Sequence, residues 1–375
     1  MRFHGYSTRR SNRGLFAGTA IGDTIGLPLE NLSRRRIDAW LGDGKLGHRF
    51  LFGKGMVSDD TEHSCLVGQS LALFAHDSER FGKDLARRLR WWFAGGPAGS
   101  GRATLRSCTK LWLGFGYKKS GVWSAGNGPA MRAAIIGVAI ADRNRATELV
   151  EICSRITHSD PKAVYGGLAV AALAHHFAFG DKNDVSPETL LLVCRQWVCP
   201  SDESTDDAAD EFIKLLTTAA KSASAGQSTL QFAESMGWEK GVSGYTYHTV
   251  PAAIHAVMRY TDDYRLAIEQ LIRCGGDVDS TAAIAGGILG VRLGPNALPN
   301  DWLNGIIEWP RTKSWMCQLA GAMAISPACV DPPASLVNHP VDRIPTVNVF
   351  AQYIRNGFFS IVVLVHALRR LLPPY

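Results

Sequence analysis

The 375-residue sequence predicts an all-α protein, and three observations carry the prediction. Apolar residues recur at three- and four-residue spacing over most of the chain. Alternating, β-branched runs of the kind strands need are scarce, and the gaps between periodic segments carry Gly, Pro, Ser and Asp. A hydrophobic share of 46% is ample for a packed core, and the length admits one large domain or two ordinary ones.

The first helical segment, Gly14–Leu29, repeats glycine every four residues at Gly14, Gly18, Gly22 and Gly26. A stripe without side chains lets another helix come close to its backbone. Membrane helices pair through similar spacing, but Asp23 interrupts this segment and it is too short to cross a bilayer. Asp23 itself is expected to be a buried supporting group. Helical periodicity continues at 64–76, 104–115, 129–141, 146–156, 162–179, 186–197, 207–224, 249–259, 264–273 and 280–292. Loops are expected at 94–102, 120–128, 199–206 and 293–300. The helix over 280–292 is also small-faced, through Ala282, Ala283, Ala285, Gly286, Gly287 and Gly290, so two small-faced helices could meet.

Beyond Pro327 the composition changes. Pro332, Pro333, Pro340 and Pro345 mark a linker, and an apolar helix is expected from Phe358. Its unbroken apolar run is about eleven residues, short of a bilayer span. The expectation is a helix docked on the body or on a second subunit. The sharper alternative is a weak membrane-surface contact, with Arg369 and Arg370 at the headgroups.

A net charge of +6 suits an anionic small molecule as well as it suits nucleic acid. The arginines at Arg9, Arg10 and Arg13, and at Arg34, Arg35 and Arg36, read as solvated surface. They lack interleaved aromatics and a recognisable module, so no nucleic-acid partner is expected. The eight cysteines form no C-x-x-C pair and mostly sit in apolar helices, which predicts reduced core thiols and a cytoplasmic protein. The opening MRFHGYSTRRSNRG has no signal-type apolar core behind it. A monomer is the default.

Chemistry concentrates in two acidic clusters, Ser58-Asp59-Asp60-Thr61-Glu62 and Gly275-Gly276-Asp277-Val278-Asp279-Ser280-Thr281. Each leads into a helix, where Ser and Asp suit the first turn. Taken alone, Ser58 or Asp59 could simply cap its helix. If brought together, the four aspartates repel one another unless cations stand between them. Hard oxygen donors of this kind suit Mg²⁺ or Mn²⁺, which points to a two-metal hydrolase.

With these clusters stand four further segments: GLFAGTAIGDTIGLPLE (14–30), GSGRATLR (99–106), GNGPAMR (126–132) and THSDP (157–161). Taken in this order, the six segments resemble the ADP-ribosylglycohydrolase family from about Gly14 to Ile325. The resemblance implies a compact single-domain orthogonal helical bundle. It places a catalytic domain over 10–328 and leaves 329–375 as a Pro-containing linker with an apolar C-terminal helix. It makes Ser58, Asp59, Asp60, Asp277, Asp279 and Ser280 the ligands of two Mg²⁺ or Mn²⁺ ions. The family usually has Thr at the first of these positions and commonly at the last, so the hydroxyl donor is kept.

The resemblance also implies roles for individual side chains. Asp60 or Asp277 is the base, and Glu30 gates the substrate or contacts the metals. Ser124, Gly126, Asn127, Gly128 and His158 hold ADP-ribose, while GSGRATLR shapes the cleft. Trp91, Trp92, Trp123 and Tyr165 lie nearest the motifs as adenine-stacking candidates. The expected reaction is metal-dependent hydrolysis of the glycosidic bond between ADP-ribose and a protein side chain or a small conjugate. Two other readings stay open: a dinuclear-metal phosphoesterase acting on a nucleotide or metabolite, and an inactive ADP-ribose-binding protein.

Overall fold

The computed structural model describes residues 2–42, 44–199, 206–325 and 344–369, without the side chains of 2–8 and 325. Seventeen α-helices form the described residues, with three single 3₁₀ turns; loops meet only through isolated bridges, and no strand is present among these residues. In chain order they are α1 (Arg2–Gly26), α2 (Arg34–Leu41), α3 (Asp59–Phe74), α4 (Ser78–Ala94), α5 (Arg102–Trp112), α6 (Ala134–Ala139), α7 (Arg143–Arg155), α8 (Pro161–Phe179) and α9 (Pro187–Val198). Next come α10 (Asp207–Ser224), α11 (Thr229–Ser235), α12 (Thr246–Arg259), α13 (Tyr264–Cys274), α14 (Val278–Leu293), α15 (Asn300–Gly305), α16 (Lys313–Ile325) and α17 (Val349–Arg369).

Each periodic segment read from the sequence falls on a helix, with shifted ends where a cap decides. Ser58 accepts from the Asp60 N–H, so α3 starts at Asp59 rather than at the first apolar residue. The segment 129–141 is divided between a 3₁₀ turn, Ala130–Arg132, and α6. Five helices, α2, α4, α11, α15 and α16, lie outside the periodic segments. In α4 the charges of SERFGKDLARRLR surround a buried stripe of Phe81, Leu85 and Leu89, and Asp77 caps it by accepting from the Arg80 N–H.

The helix α14 runs buried from Val278 to Val291, and α1 lies directly on it. A Cβ built on Gly14 would stand 2.0 Å from the Gly290 carbonyl oxygen, and one on Gly18 would stand 2.0 Å from that of Gly286. Backbone therefore packs on backbone, and no side chain fits the seam. The two small-faced helices of the sequence are each other's partners. One hydrophobic core runs from α1 and α14 through α3, α8, α12 and α16.

The helix α17 begins at Val349, nine residues ahead of the expected start at Phe358. Asn348 starts it by accepting from the Ala351 N–H at 3.1 Å. The first turns, rich in polar residues, hide the helix from a hydropathy reading, yet they are what docks it. Its inner face carries Gln352, Arg355 and Asn356, all buried. Beneath it lies a small separate cluster of Leu27, Phe50, Met56, Phe359 and Val362. The linker prolines up to Pro340, and Arg370, lie outside the described residues.

The seven described cysteines are free, and five of them are buried; Cys317 on α16 is exposed, against the core position expected of it. Arg10 also departs from a purely solvated reading, because its guanidinium donates to the Leu293 carbonyl at the end of α14.

Candidate active site

The acidic turn of α3 is held from behind by α1. Asp23, fully buried, accepts the Ser58 N–H at 3.0 and 2.9 Å through its two oxygens. The Thr61 hydroxyl donates to the same carboxylate at 2.5 Å. One carboxylate thus satisfies the start of a helix to which it does not belong. Burial raises the Asp23 pKa to about 6, against the pull of these hydrogen bonds. Its place is the supporting one expected.

The second acidic turn is set by glycine. Gly276 lies between two loops: its N–H donates to Leu32 O at 2.9 Å, and its carbonyl accepts the Asn31 N–H at 2.7 Å. A Cβ there would meet Val242 O at 2.2 Å, and its φ of +84° is a glycine conformation. Pinned in this way, the loop delivers Glu30 to one side of the acidic turn and Gly244 to the other. Ser280 on α14 then donates to Asp60 on α3 at 3.3 Å, closing a gap of more than two hundred residues in sequence.

These groups line one cleft of about 370 Å³, with Glu30, Asp59, Asp60, Asp277, Asp279 and Ser280 on one wall. Ser124, Gly126, Asn127, Gly128 and His158 line the same cleft. Ser58 faces an adjoining side pocket of about 70 Å³ that it shares with Glu30, Asp59 and Asp279. Asn127 joins the two groups, donating to Asp277 at 2.7 Å and to Thr249 at 3.0 Å. His158 forms the floor under the glycines and accepts or donates at Thr157 Oγ1, 2.8 Å away. Burial, with Arg132 beside it, lowers its pKa to about 3, so the ring is neutral.

The electrostatics of the acidic wall are one-sided. Burial, and then the neighbouring carboxylates, hold Asp59, Asp60 and Asp279 well above the usual carboxylate range. Asp60 Oδ1 and Asp279 Oδ1 are buried and without a hydrogen-bond partner. Carboxylate and hydroxyl oxygens with two lone partnerless atoms are a donor set that fits a hard divalent cation. Among the described residues no three His, Cys, Asp or Glu side chains already converge on one point. The set is gathered round the cleft rather than closed.

Glu62, the last residue of the first acidic motif, points away from the cleft. It accepts from Trp92 Nε1 at 2.7 Å, Arg311 at 2.9 Å and Gln352 at 3.0 Å. Burial alone would raise its pKa, yet Arg355 and Arg311 hold it below the usual value. That bond also removes Trp92 as an adenine platform. Trp91 packs on Trp112, Tyr165 donates to Asp206, and none of the four aromatic candidates lines the cleft. The GSGRATLR segment lines the cleft as expected, through Gly99, Gly101, Arg102, Ala103 and Thr104, whereas sequence reasoning did not single out Asn31, Met131 and Gly244. Met131 sits inside the GNGPAMR segment and could have been singled out there; Gly244 carried no signal.

A family model described as ADP-ribosylglycohydrolase matches residues 6–331. The chain belongs to the ADP-ribosylglycohydrolase family. It is accordingly an enzyme, a hydrolase of ADP-ribosyl glycosidic bonds. Among its relatives, the ADP-ribosyl-[dinitrogen reductase] glycohydrolase of Rhodospirillum rubrum is 26% identical over 302 residues, covering 78% of this chain and 88% of that one. The ADP-ribosylarginine hydrolase Tri1 of Serratia proteamaculans is 26% identical over 323 residues, covering 82% and 78%. A solved structure described as an ADP-ribosylglycohydrolase-related protein complex has the same fold, with a TM-score of 0.62 at 23% identity over 85% of this chain and 98% of its own.

Proposed function

We propose that this enzyme cleaves the bond between the anomeric carbon of ADP-ribose and an acceptor on a protein side chain or small conjugate, with Ser58, Asp59, Asp60, Asp277, Asp279 and Ser280 holding two Mg²⁺ or Mn²⁺ ions. The observation that carries the reading is the meeting of the two acidic turns, Ser280 to Asp60 at 3.3 Å, with a glycine loop that opens on the same cleft. When bound, the cations supply Lewis acidity for the ribose hydroxyls and lower the pKa of a water.

The chain's own groups do the rest. Asp60 and Asp277 are the bases offered to the attacking water, and Asn127 fixes the rotation of Asp277 through its Oδ2. Negative charge along the acidic wall stabilises the oxocarbenium-like transition state of glycosidic cleavage. Gly126 and Gly128 allow close approach of the ligand to their backbone, and His158 supports them as a neutral ring. Among the described residues lining the cleft, Arg102 is the one with a permanent positive charge, and it stands where a diphosphate can meet it. Glu30 sits at the junction of cleft and side pocket, on the path of the acceptor.

The test is release of free ADP-ribose from arginine- and serine-linked ADP-ribosyl peptides, run with Mg²⁺, with Mn²⁺ and with a chelator. Metal-dependent release from one peptide is the expected result and names the linkage. Release that the chelator leaves untouched would remove the metals from the reading.

A further inference from the structure

The outer face of α17 is apolar along its whole length. Phe350, Ile354, Ile361, Leu364, Val365 and Leu368 recur on one side of the helix and are all more than half exposed. The helix cannot turn over to hide them, because its inner face is locked. Arg355 donates to Glu308 at 2.9 Å and to Val57 O at 2.5 Å, Asn356 donates to Gly95 O at 2.8 Å, and His366 meets Phe50 O at 2.7 Å. The same contacts separate this helix from a spanning one. It is long and apolar enough to cross a bilayer, yet a buried arginine and its carboxylate tie it to the body.

A second projection stands beside the helix. The turn Leu51–Lys54 follows Phe50, whose ring stacks on His366 of α17. At its tip Phe52 is 98% exposed. The charges flanking both features have one sign. Residues 44–57 contain Lys45, Arg49 and Lys54 and no Asp or Glu; residues 344–375, apart from the buried and paired Arg355, contain Arg369 and Arg370 and again no Asp or Glu. A second copy meeting this face through the same two segments would offer the same cations and no acids to answer them. Anionic headgroups answer them, and acyl chains cover the stripe.

We propose that the outer face of α17 and the Phe52 tip form a docking surface for an anionic lipid bilayer, on which the helix lies in the interface plane. Its inner face brings Phe359, Val363 and His366 to the side pocket beside Asp59 and Asp279, so the bound lipid surface lies one helix away from the acidic wall.

The experiment is co-sedimentation of the full chain with vesicles of phosphatidylcholine alone and of two parts phosphatidylcholine to one part phosphatidylglycerol. It compares wild type, the double variant Ile361→Glu/Leu364→Glu and the single variant Phe52→Glu, with light scattering of each protein in solution. All three positions face solvent, so the variants should fold as wild type does. The expected result is binding to the anionic vesicles only, weakened by salt, and lowered about tenfold or more in the double variant and measurably in Phe52→Glu. Wild type that ignores the anionic vesicles, or a double variant that binds as wild type does, overturns the proposal. So does a dimer in solution that Ile361→Glu/Leu364→Glu dissolves, because a second copy then covers the stripe.

Discussion

Asp60 and Glu62 stand two residues apart on α3, both buried, and they meet opposite surroundings. Glu62 is ringed by donors, among them Arg311 and Gln352, with Arg355 3.8 Å away. Asp60 faces Asp59, Asp277 and Asp23, and one of its oxygens has no partner. The first carboxylate is neutralised by fixed arginines and works as a fastener for α17. The second is left with excess negative charge in a cleft, where only a mobile cation or a proton can balance it. The same residue chemistry therefore serves structure or function according to what compensates it.

The comparison breaks most sharply at the cleft. Asp60→Asn or Asp279→Asn should lower turnover by about a thousandfold or more, as expected where a group acts on the transition state through charge. The melting temperature should stay level or rise, because a repulsive charge has gone. Steady-state kinetics and thermal melts on the same samples check this. A variant that keeps wild-type turnover removes that residue from the machinery.

Glu62→Gln should do the reverse. Leaving Arg311 buried without its carboxylate, and Arg355 with Glu308 alone, should cost about 3–5 kcal/mol of stability. Denaturant unfolding reads it, while turnover per folded molecule should change far less than in Asp60→Asn. Gly18→Ala should cost about 1–3 kcal/mol or more, because its Cβ would meet the Gly286 carbonyl and the seam has no slack.

Acid separates the two groups without mutation. Asp23 has a folded pKa of about 6 against 3.8, so its contribution to stability is lost as pH rises from about 4 through 6. Glu62 has a depressed folded pKa, so its contribution is present above its ordinary value and is lost as pH falls below it. Melts recorded in chelator should therefore show the protein gaining stability on mild acidification from neutral pH, then losing it at lower pH. Glu62→Gln should make the second limb smaller, the remainder coming from Asp84 and the other carboxylates held below their ordinary range. The smallest effect expected is on Arg102→Ala, a KM higher by roughly two- to fivefold at unchanged kcat, the scale of an exposed ion contact.

Much of this was legible in the sequence. Glycine every four residues in 14–26 and the small face of 280–292 announced a close helix pair, because a missing Cβ repeated along one helix face lets another backbone approach. The motif order announced the two groups that line the cleft. What hid was decided by partners far away in sequence. Glu62 reads as one more acid of the first cluster until Arg355, nearly three hundred residues on, is seen beside it. The early turns of α17 look polar and unhelical until Glu62 and Glu308 are there to meet them. Gly244 lines the cleft through geometry that no local pattern records.

The most direct measurement is a Mn²⁺ titration of the full chain followed by electron paramagnetic resonance, on wild type, Asp60→Asn and Glu62→Gln. The account predicts two bound ions in wild type and in folded Glu62→Gln, and a loss of binding in Asp60→Asn. Equal Mn²⁺ binding by Asp60→Asn and wild type, or none by wild type, would contradict it.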